Sequence, residues 1–352
     1  MNPYVMFLMF TSLGLGTTIT FASSHWLMAW MGLEINTLAI IPLMAQHRHP
    51  RAVEATVKYF LVQATAATLM LFMATSNAWL EGQWEIEQLS NLTPLMITTL
   101  ALGLKMGLAP MHFWLPEVLQ GLSLTTGLIL LTWQKLAPMV LMYQISSQIH
   151  PLLILTLATM SVLVGGWGGL NQTQLRKLLA YSSIAHMGWM MAAMKYMPDL
   201  TILALMTYIM MTSSIFLMMK LLSATKINEL ATAWTKAPTL AAINMVTILS
   251  LGGLPPLTGF MPKWFIIQEL TKQTLPVTPT LLALATLLSL FFYLRMCYSL
   301  SLTSAPNTNN SKTAWRFKPS MMMFPLSTTV IISSMMLPLA PTMLAMAVTT
   351  TM

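Results

Sequence analysis

Four ionisable side chains lie deep inside apolar runs. Glu34 sits in WMGLEINTLAIIP, Lys105 in LALGLKMGLAP, Lys135 in LLTWQKLAPM and Lys263 in TGFMPKWFII. A charge at the centre of a membrane helix costs about 2.5–3.5 kcal/mol on insertion scales, so such a group should face a bundle interior, a partner or water. A lysine in low dielectric gives up its proton more readily, and a nearby carboxylate restores its hold. One acid and three bases of this kind can form a proton relay in which the glutamate biases the lysines. The plainer alternative is a set of structural ion pairs and snorkelling side chains.

Two of the lysines stand beside helix breakers. The run around Lys105 continues into GLAPMHFWLPE, where Pro110 and Pro116 are expected to interrupt helical hydrogen bonding. The run around Lys263 contains LSLGGLPPLTGFMPKW, which crowds Gly252, Gly253, Pro255, Pro256, Gly259 and Pro262 together. Backbone groups freed at membrane depth are tolerated where they line a cavity or are buried in protein. Paired interruptions in corresponding places of two halves point to an inverted-repeat transporter, with ordinary proline kinks as the alternative.

Histidine is the other candidate proton carrier, because it titrates near pH 6.5. His112 lies in the first break and His186 in YSSIAHMGWMM; either could pass protons or simply bond a backbone carbonyl. His25, His47, His49 and His150 lie near span ends, and no histidine spacing suits a metal ion. Glu54 and Lys58 read as an i,i+4 pair at a helix start. Gly165, Gly166, Gly168 and Gly169 suit close helix packing, and Trp26, Trp79 and Trp84 an interfacial belt. Glu117, at the end of the first break, reads as a loop acid or the mouth of a proton path.

The elements that must hold these groups are membrane helices. The chain of 352 residues is 56% hydrophobic and 7% charged, with mean hydropathy +0.70; a soluble domain carries roughly 25% charged residues. Stretches of about 20 apolar residues, enough to cross the hydrocarbon core, recur about eleven times. They cover 3–22, 25–45, 54–78, 94–115, 122–146, 152–170, 176–196, 200–222, 238–272, 279–300 and 322–345. The fold class is therefore an all-α membrane protein of about 11 transmembrane helices in a single multi-pass domain over 1–352. The most polar stretches, 79–93 and 301–320, read as loops.

Charge distribution gives a topology. The face carrying the N-terminus holds Arg48, Arg51, Arg176, Lys177, Lys226, Lys236, Lys312, Arg316 and Lys318. The opposite face holds Lys195 and Lys272 with the acids Glu81, Glu85, Glu87 and Asp199. The positive-inside rule puts the N-terminus in the cytoplasm or its mitochondrial equivalent, the matrix, and an odd helix count puts the C-terminus across the membrane. The net charge of +8 thus reports topology and not a nucleic-acid partner. The single cysteine, Cys297, excludes a disulfide framework or an iron–sulfur site built by this chain alone. There is no dinucleotide fingerprint or phosphate loop, and no removable targeting peptide is expected.

The strings GLKMGLAPMHFWLPEVLQG, LLAYSSIAHMGWM and LSLGGLPPLTGFMPKW resemble the antiporter-like subunits of respiratory complex I, a superfamily that includes Mrp-type cation/proton antiporters. With MNPYV and WMGLEINTLAIIP, the resemblance is greatest to the animal mitochondrial members. A reassigned isoleucine codon in animal mitochondria would also explain 35 methionines. The resemblance implies inverted five-helix repeats, one about 1–146 and two about 152–300, with two broken helices and a C-terminal helix at about 322–345. It implies a core membrane-arm subunit of proton-translocating NADH:ubiquinone oxidoreductase in the mitochondrial inner membrane. Glu34 would then be the membrane glutamate and Lys105 the lysine it modulates. Lys135 would be the connecting lysine, Lys263 the lysine nearest the far exit, and His186 part of a mid-chain histidine motif. Cofactors (NADH, FMN, iron–sulfur clusters and ubiquinone) would lie elsewhere in the complex and none in this chain. Partners would be other membrane-arm subunits, including neighbouring antiporter-like ones, together with phospholipids. Bacterial relatives carry about three further N-terminal helices, so partner subunits are expected over that surface. A free-standing Mrp-like antiporter and a scaffold whose buried charges merely pair are the rival readings.

Overall fold

The computed structural model describes residues 3–46, 49–89, 91–302 and 323–349. His47, Arg48, Lys312, Arg316, Lys318 and most of the expected loop 301–320 fall outside the described residues, as does the side chain of Lys236. The described residues are helical, with two isolated bridges, His25 to Glu85 and Gln174 to Lys226. Contacts divide the chain into two compact units, Met1–Ser161 and Val162–Met352.

The first unit holds α1 (Pro3–Ala22), α2 (Trp26–Met44), α3 (Pro50–Glu81), α4 (Leu92–Met106), α5 (Trp114–Gly121), α6 (Leu124–Thr132) and α7 (Leu136–Gln144). Helix α8 (Pro151–Gly169) contains the seam between the units. The second unit continues with α9 (Leu175–Met194), α10 (Pro198–Leu222), the short α11 (Ile227–Ala231) and α12 (Ala233–Lys236), α13 (Pro238–Gly252), α14 (Phe260–Lys272) and α15 (Val277–Ser301). It ends with α16 (Met323–Met335) and α17 (Ala340–Thr349), joined through a 3-10 turn at Leu337–Leu339.

Among the described residues, seven helices are long and apolar enough to cross a membrane, or eight when the bent pair at the C-terminus is taken as one span. The remaining three of the stretches read as spans are α9 and the two broken ones. Helix α9 is 20 residues long, but Arg176, Lys177 and a polar middle lower its apolar character. The stretch 238–272 divides into α13 and α14, whereas 94–115 holds α4 and the first break and reaches only the first two residues of α5.

Both breaks use the same device. Helix α4 ends at Gly107 (φ 78°) and α13 at Gly253 (φ 81°), left-handed positions that glycine adopts without steric penalty. Pro110, after Ala109, then prevents helical continuation in the first break, as Pro255 and Pro256 do in the second. Pro116 does not interrupt hydrogen bonding as expected. It is the third residue of α5, where a backbone N–H would have no intrahelical partner anyway; Pro262 has the same place in α14. A third irregularity lies in the first unit, without a glycine to mark it. The stretch 122–146 is interrupted by a 3-10 turn at Trp133–Lys135. Pro138 lacks the N–H that would bond to Gln134 and crowds that carbonyl, so the ladder opens just where Lys135 sits.

Packing inside the first unit depends on close approach. A Cβ on Gly16 would meet the Asn36 Oδ1 at 2.5 Å and the Gly32 carbonyl at 2.9 Å, so α1 and α2 cross almost backbone to backbone. Trp30 of α2 donates to the Ala67 carbonyl of α3 at 3.1 Å. Gly121 seats α5 against the Arg51 carbonyl of α3. In the second unit, Gly165 meets the backbone of Ala185, and Gly168 the ring of Tyr181. The crossing at Gly16 gives a direct test. Gly16→Val should cost about 1–3 kcal/mol through overpacking, seen as a lower thermal midpoint of the detergent-solubilised protein. An unchanged midpoint would show that α1 is free to move off α2.

Candidate functional site

The first unit brings four helices to one buried polar site. Helix α2 carries Glu34 and Asn36, α3 carries Tyr59 and Gln63, α4 carries Lys105, and the kink between α6 and α7 carries Gln134 and Lys135. The first break ends α4 two residues after Lys105, leaving Lys105 in its last turn. Lys105 is 7% exposed and Lys135 2% exposed, yet neither is sealed in hydrocarbon. Both line a cavity of about 20 Å³ together with Asn36, Tyr59, Gln63 and Gln134. A water molecule needs roughly 10–15 Å³ on this measure and two or more polar partners, so there is room for one.

Lysine and amide groups supply the partners. Among the described residues, the Lys105 Nζ has no hydrogen-bond partner, and neither does either side-chain polar atom of Asn36. Gln134 donates from Nε2 to the Asn36 carbonyl at 3.2 Å, tying the Lys135 kink to α2. Gln63 approaches the Lys105 carbonyl at 3.5 Å. Trp114 reaches back across the break to donate to the Leu104 carbonyl at 3.1 Å and packs edge-on against Tyr59. Glu34 interacts electrostatically with Lys105 and Tyr59, although no ion pair within 4.0 Å joins it to Lys105. Its backbone carbonyl accepts from Thr37 at 2.9 Å. The arrangement is a carboxylate acting at a distance on one of two lysines that share a water-sized space.

His112 is placed differently. It lies in the first break, with Nδ1 3.2 Å from the Pro110 carbonyl and its ring against Phe113. It does not line the cavity. Glu117 accepts from Lys58 at 2.7 Å, and Lys58 also pairs with Glu54 at 2.9 Å. The sequence offered only the Glu54–Lys58 half of that cluster, because Lys58 and Glu117 are 59 residues apart. All three side chains are more than 40% exposed, so their pairing contributes little to stability.

Comparison with known proteins assigns the chain to a family. Residues 23–291 match the family "NADH:quinone oxidoreductase/Mrp antiporter, TM", and residues 290–344 match "NADH dehydrogenase subunit 2 C-terminus". The chain is 63% identical over 348 residues to NADH-ubiquinone oxidoreductase chain 2 of Oncorhynchus mykiss, covering 98% of this chain and 99% of that one. It is 62% identical over 344 residues to the protein of the same name from Danio rerio, with the same coverage. The chain belongs to the NADH dehydrogenase subunit 2 family. A solved chain in respiratory complex I from Thermus thermophilus with bound aureothin superposes with TM-score 0.82 at 26% identity, over 94% of this chain and 78% of that one. A chain of the archaeal membrane-bound sulfane sulfur reductase shares the fold, with TM-score 0.84 at 18% identity over 97% and 74% of the two chains.

The second unit of this family member carries its own lysine at a break. Lys263 donates from Nζ to the Gly252 carbonyl at 2.9 Å, satisfying the end of α13. A Cβ on Gly253 would lie 2.7 Å from that Nζ. His186 is buried on α9 with its ring 5.5 Å from that of Tyr208. Arg295, passed over in the sequence, donates to the Leu170 carbonyl at 2.6 Å and to that of Gln172, closing the turn after α8. Aligning the breaks, GLAPMHFWLPE over 107–117 and GLPPLTGFMPK over 253–263, puts Glu117 at the place of Lys263 and His112 at the place of Thr258.

The cavity makes a prediction about water. A high-resolution structure of the assembled protein should show one ordered water between Lys105 Nζ and the Asn36 amide. Asn36→Leu, which removes the amide, should remove it. A dry cavity in the parent protein would contradict this reading.

Proposed function

We infer that this chain is a core membrane-arm subunit of respiratory NADH:ubiquinone oxidoreductase, translocating protons across the mitochondrial inner membrane as electrons pass from NADH to ubiquinone. The observation that carries the mechanism is the cavity shared by Lys105 and Lys135, with the charge of Glu34 bearing on Lys105. Two unit charges several ångströms apart, beyond contact, interact by roughly 2 kcal/mol at an effective dielectric of about 20. An interaction of that size changes a proton affinity about thirty-fold, since 1.36 kcal/mol is a factor of ten. Movement or neutralisation of the Glu34 charge therefore releases the Lys105 proton, and a water in the cavity can take it toward Lys135. Lys263 is the protonatable station of the second unit, and His186 and His112 are secondary candidates.

The two glycine-capped breaks and the internal similarity around them support the inverted-repeat reading, with the first repeat about 1–146 and the second about 152–300. Partners would be the other membrane-arm subunits, neighbouring antiporter-like ones among them, and phospholipids along exposed apolar side chains such as Tyr4, Phe7 and Leu15. NADH, FMN, iron–sulfur clusters and ubiquinone would be bound elsewhere in the complex. The loop charges favour a matrix N-terminus and an intermembrane-space C-terminus. Near-full-length relatives named as a chain of the oxidoreductase favour this reading over a free-standing antiporter.

The test is proton pumping by the whole complex in sealed vesicles, with NADH oxidation followed in parallel. Lys105→Ala should assemble and lose pumping per electron pair, and Lys135→Ala should do the same. Replacing Glu34 and Lys105 together with apolar residues should not restore it. Normal stoichiometry in an assembled Lys105→Ala complex would leave only a structural role for these groups.

A further inference from the structure

The C-terminal span is bent by 62° between Phe324–Met335 and Leu337–Met343. In a continuous helix the N–H of Met336 would donate to the carbonyl of Ile332, four residues earlier. Here the hydroxyl of Thr258, from the second break, stands between them. Thr258 Oγ1 accepts from the Met336 N–H at 3.3 Å and donates to the Ile332 carbonyl at 3.1 Å. A hydroxyl has one donor and two acceptor sites, so a single side chain can satisfy both backbone groups. Insertion of a side chain into the i→i−4 ladder is a recognised cause of sharp helix bends. Pro338 keeps the next turn open because it has no N–H.

A second hydroxyl completes the joint. Ser250 Oγ, on α13, donates to the Ser333 carbonyl at 2.5 Å and accepts from the Gly259 N–H at 3.3 Å. Thr258, Ser250 and Ser333 are each no more than 1% exposed. The Thr258 carbonyl in turn accepts the N–H of Met261 in the first turn of α14, two residues before Lys263. A short, hydrogen-bonded path thus runs from the bend of the C-terminal helix to the backbone that carries Lys263.

We propose that Thr258 is a positioning residue for Lys263. Its hydroxyl, inserted in the backbone ladder of the C-terminal helix, fixes the break from which Lys263 reaches the Gly252 carbonyl, so the bend of that helix and the placement of Lys263 are set together. The proposal rests on Lys263 being a proton station. Apolar packing alone would tolerate valine at position 258, which matches threonine in shape and lacks only the hydroxyl.

The experiment uses the assembled complex in sealed vesicles and compares Thr258→Val, Thr258→Ser and Lys263→Ala. Protons pumped per NADH oxidised and the pH profile of pumping are recorded, with assembly checked on native gels. Thr258→Val should assemble, lower the pumping ratio and shift the pH profile, while Thr258→Ser, which keeps the hydroxyl, should restore both. Normal pumping and an unshifted profile in Thr258→Val would overturn the proposal. Should valine prevent assembly, Thr258→Ala, which removes donor and acceptor without adding bulk, replaces it; unaltered pumping there overturns the proposal equally. Loss of pumping in Lys263→Ala alone would leave the proton station standing and remove only the role of Thr258. Normal pumping in Lys263→Ala would remove the station itself.

Discussion

A chain in hydrocarbon must satisfy its own backbone, because each unpaired N–H or carbonyl there costs several kcal/mol and lipid offers no replacement. The rest of this structure follows from how that constraint is met where helices are interrupted. At the first break, Gly107 turns the chain so that its N–H bonds back into α4, and the Trp114 indole donates to the Leu104 carbonyl. At the second, Gly253 makes the same turn and the Lys263 ammonium takes the Gly252 carbonyl. At the bend in the C-terminal helix, Thr258 and Ser250 supply hydroxyls. In each case a side chain from outside the interrupted helix completes it, so the breaks are also the joints between elements.

The same constraint explains where the charges sit. A lysine at membrane depth needs carbonyls, water or a carboxylate within reach, and irregular backbone is where these are available. Lys105 occupies the last turn before a break, Lys135 a 3-10 kink and Lys263 the turn just after a break. Around Lys105 the polar surroundings are amides and a water-sized space, with Glu34 beyond contact distance. A contact pair would hold its proton too firmly for transfer, whereas a carboxylate acting from a distance alters proton affinity by an amount that small movements can reverse. Stability and transfer thus draw on one set of groups.

Much of the fold was legible because lipid imposes a simple code. Spans such as 3–22, 25–45 and 152–170 fall within a residue of α1, α2 and α8, since length and apolarity alone define a crossing. The breaks were visible in their glycines and prolines, but the role of each proline was not. Pro116 reads as a helix breaker by residue type, yet its place in the first turn of α5 makes it harmless. The kink at Lys135 was concealed because Pro138 lies in an otherwise unbroken apolar run. Polar content in α9 likewise makes it a weaker span than its length suggests.

By itself the sequence determined the class of the protein, the approximate extent of its helices, and the identity of the ionisable groups forced into its interior. Those properties depend on composition along the chain and on distances of a few residues. Only the tertiary structure decided which groups meet: Lys105 with Lys135 across a shared cavity, Lys58 with Glu117, Arg295 with the turn after α8, and Thr258 with the Ile332–Met336 rung. Their partners are tens of residues away in sequence, and a helix can turn any of its faces toward a neighbour until packing fixes its rotation. Close approaches such as Gly16 against Gly32 and Asn36 fix that rotation, and the chemistry of the site follows from it.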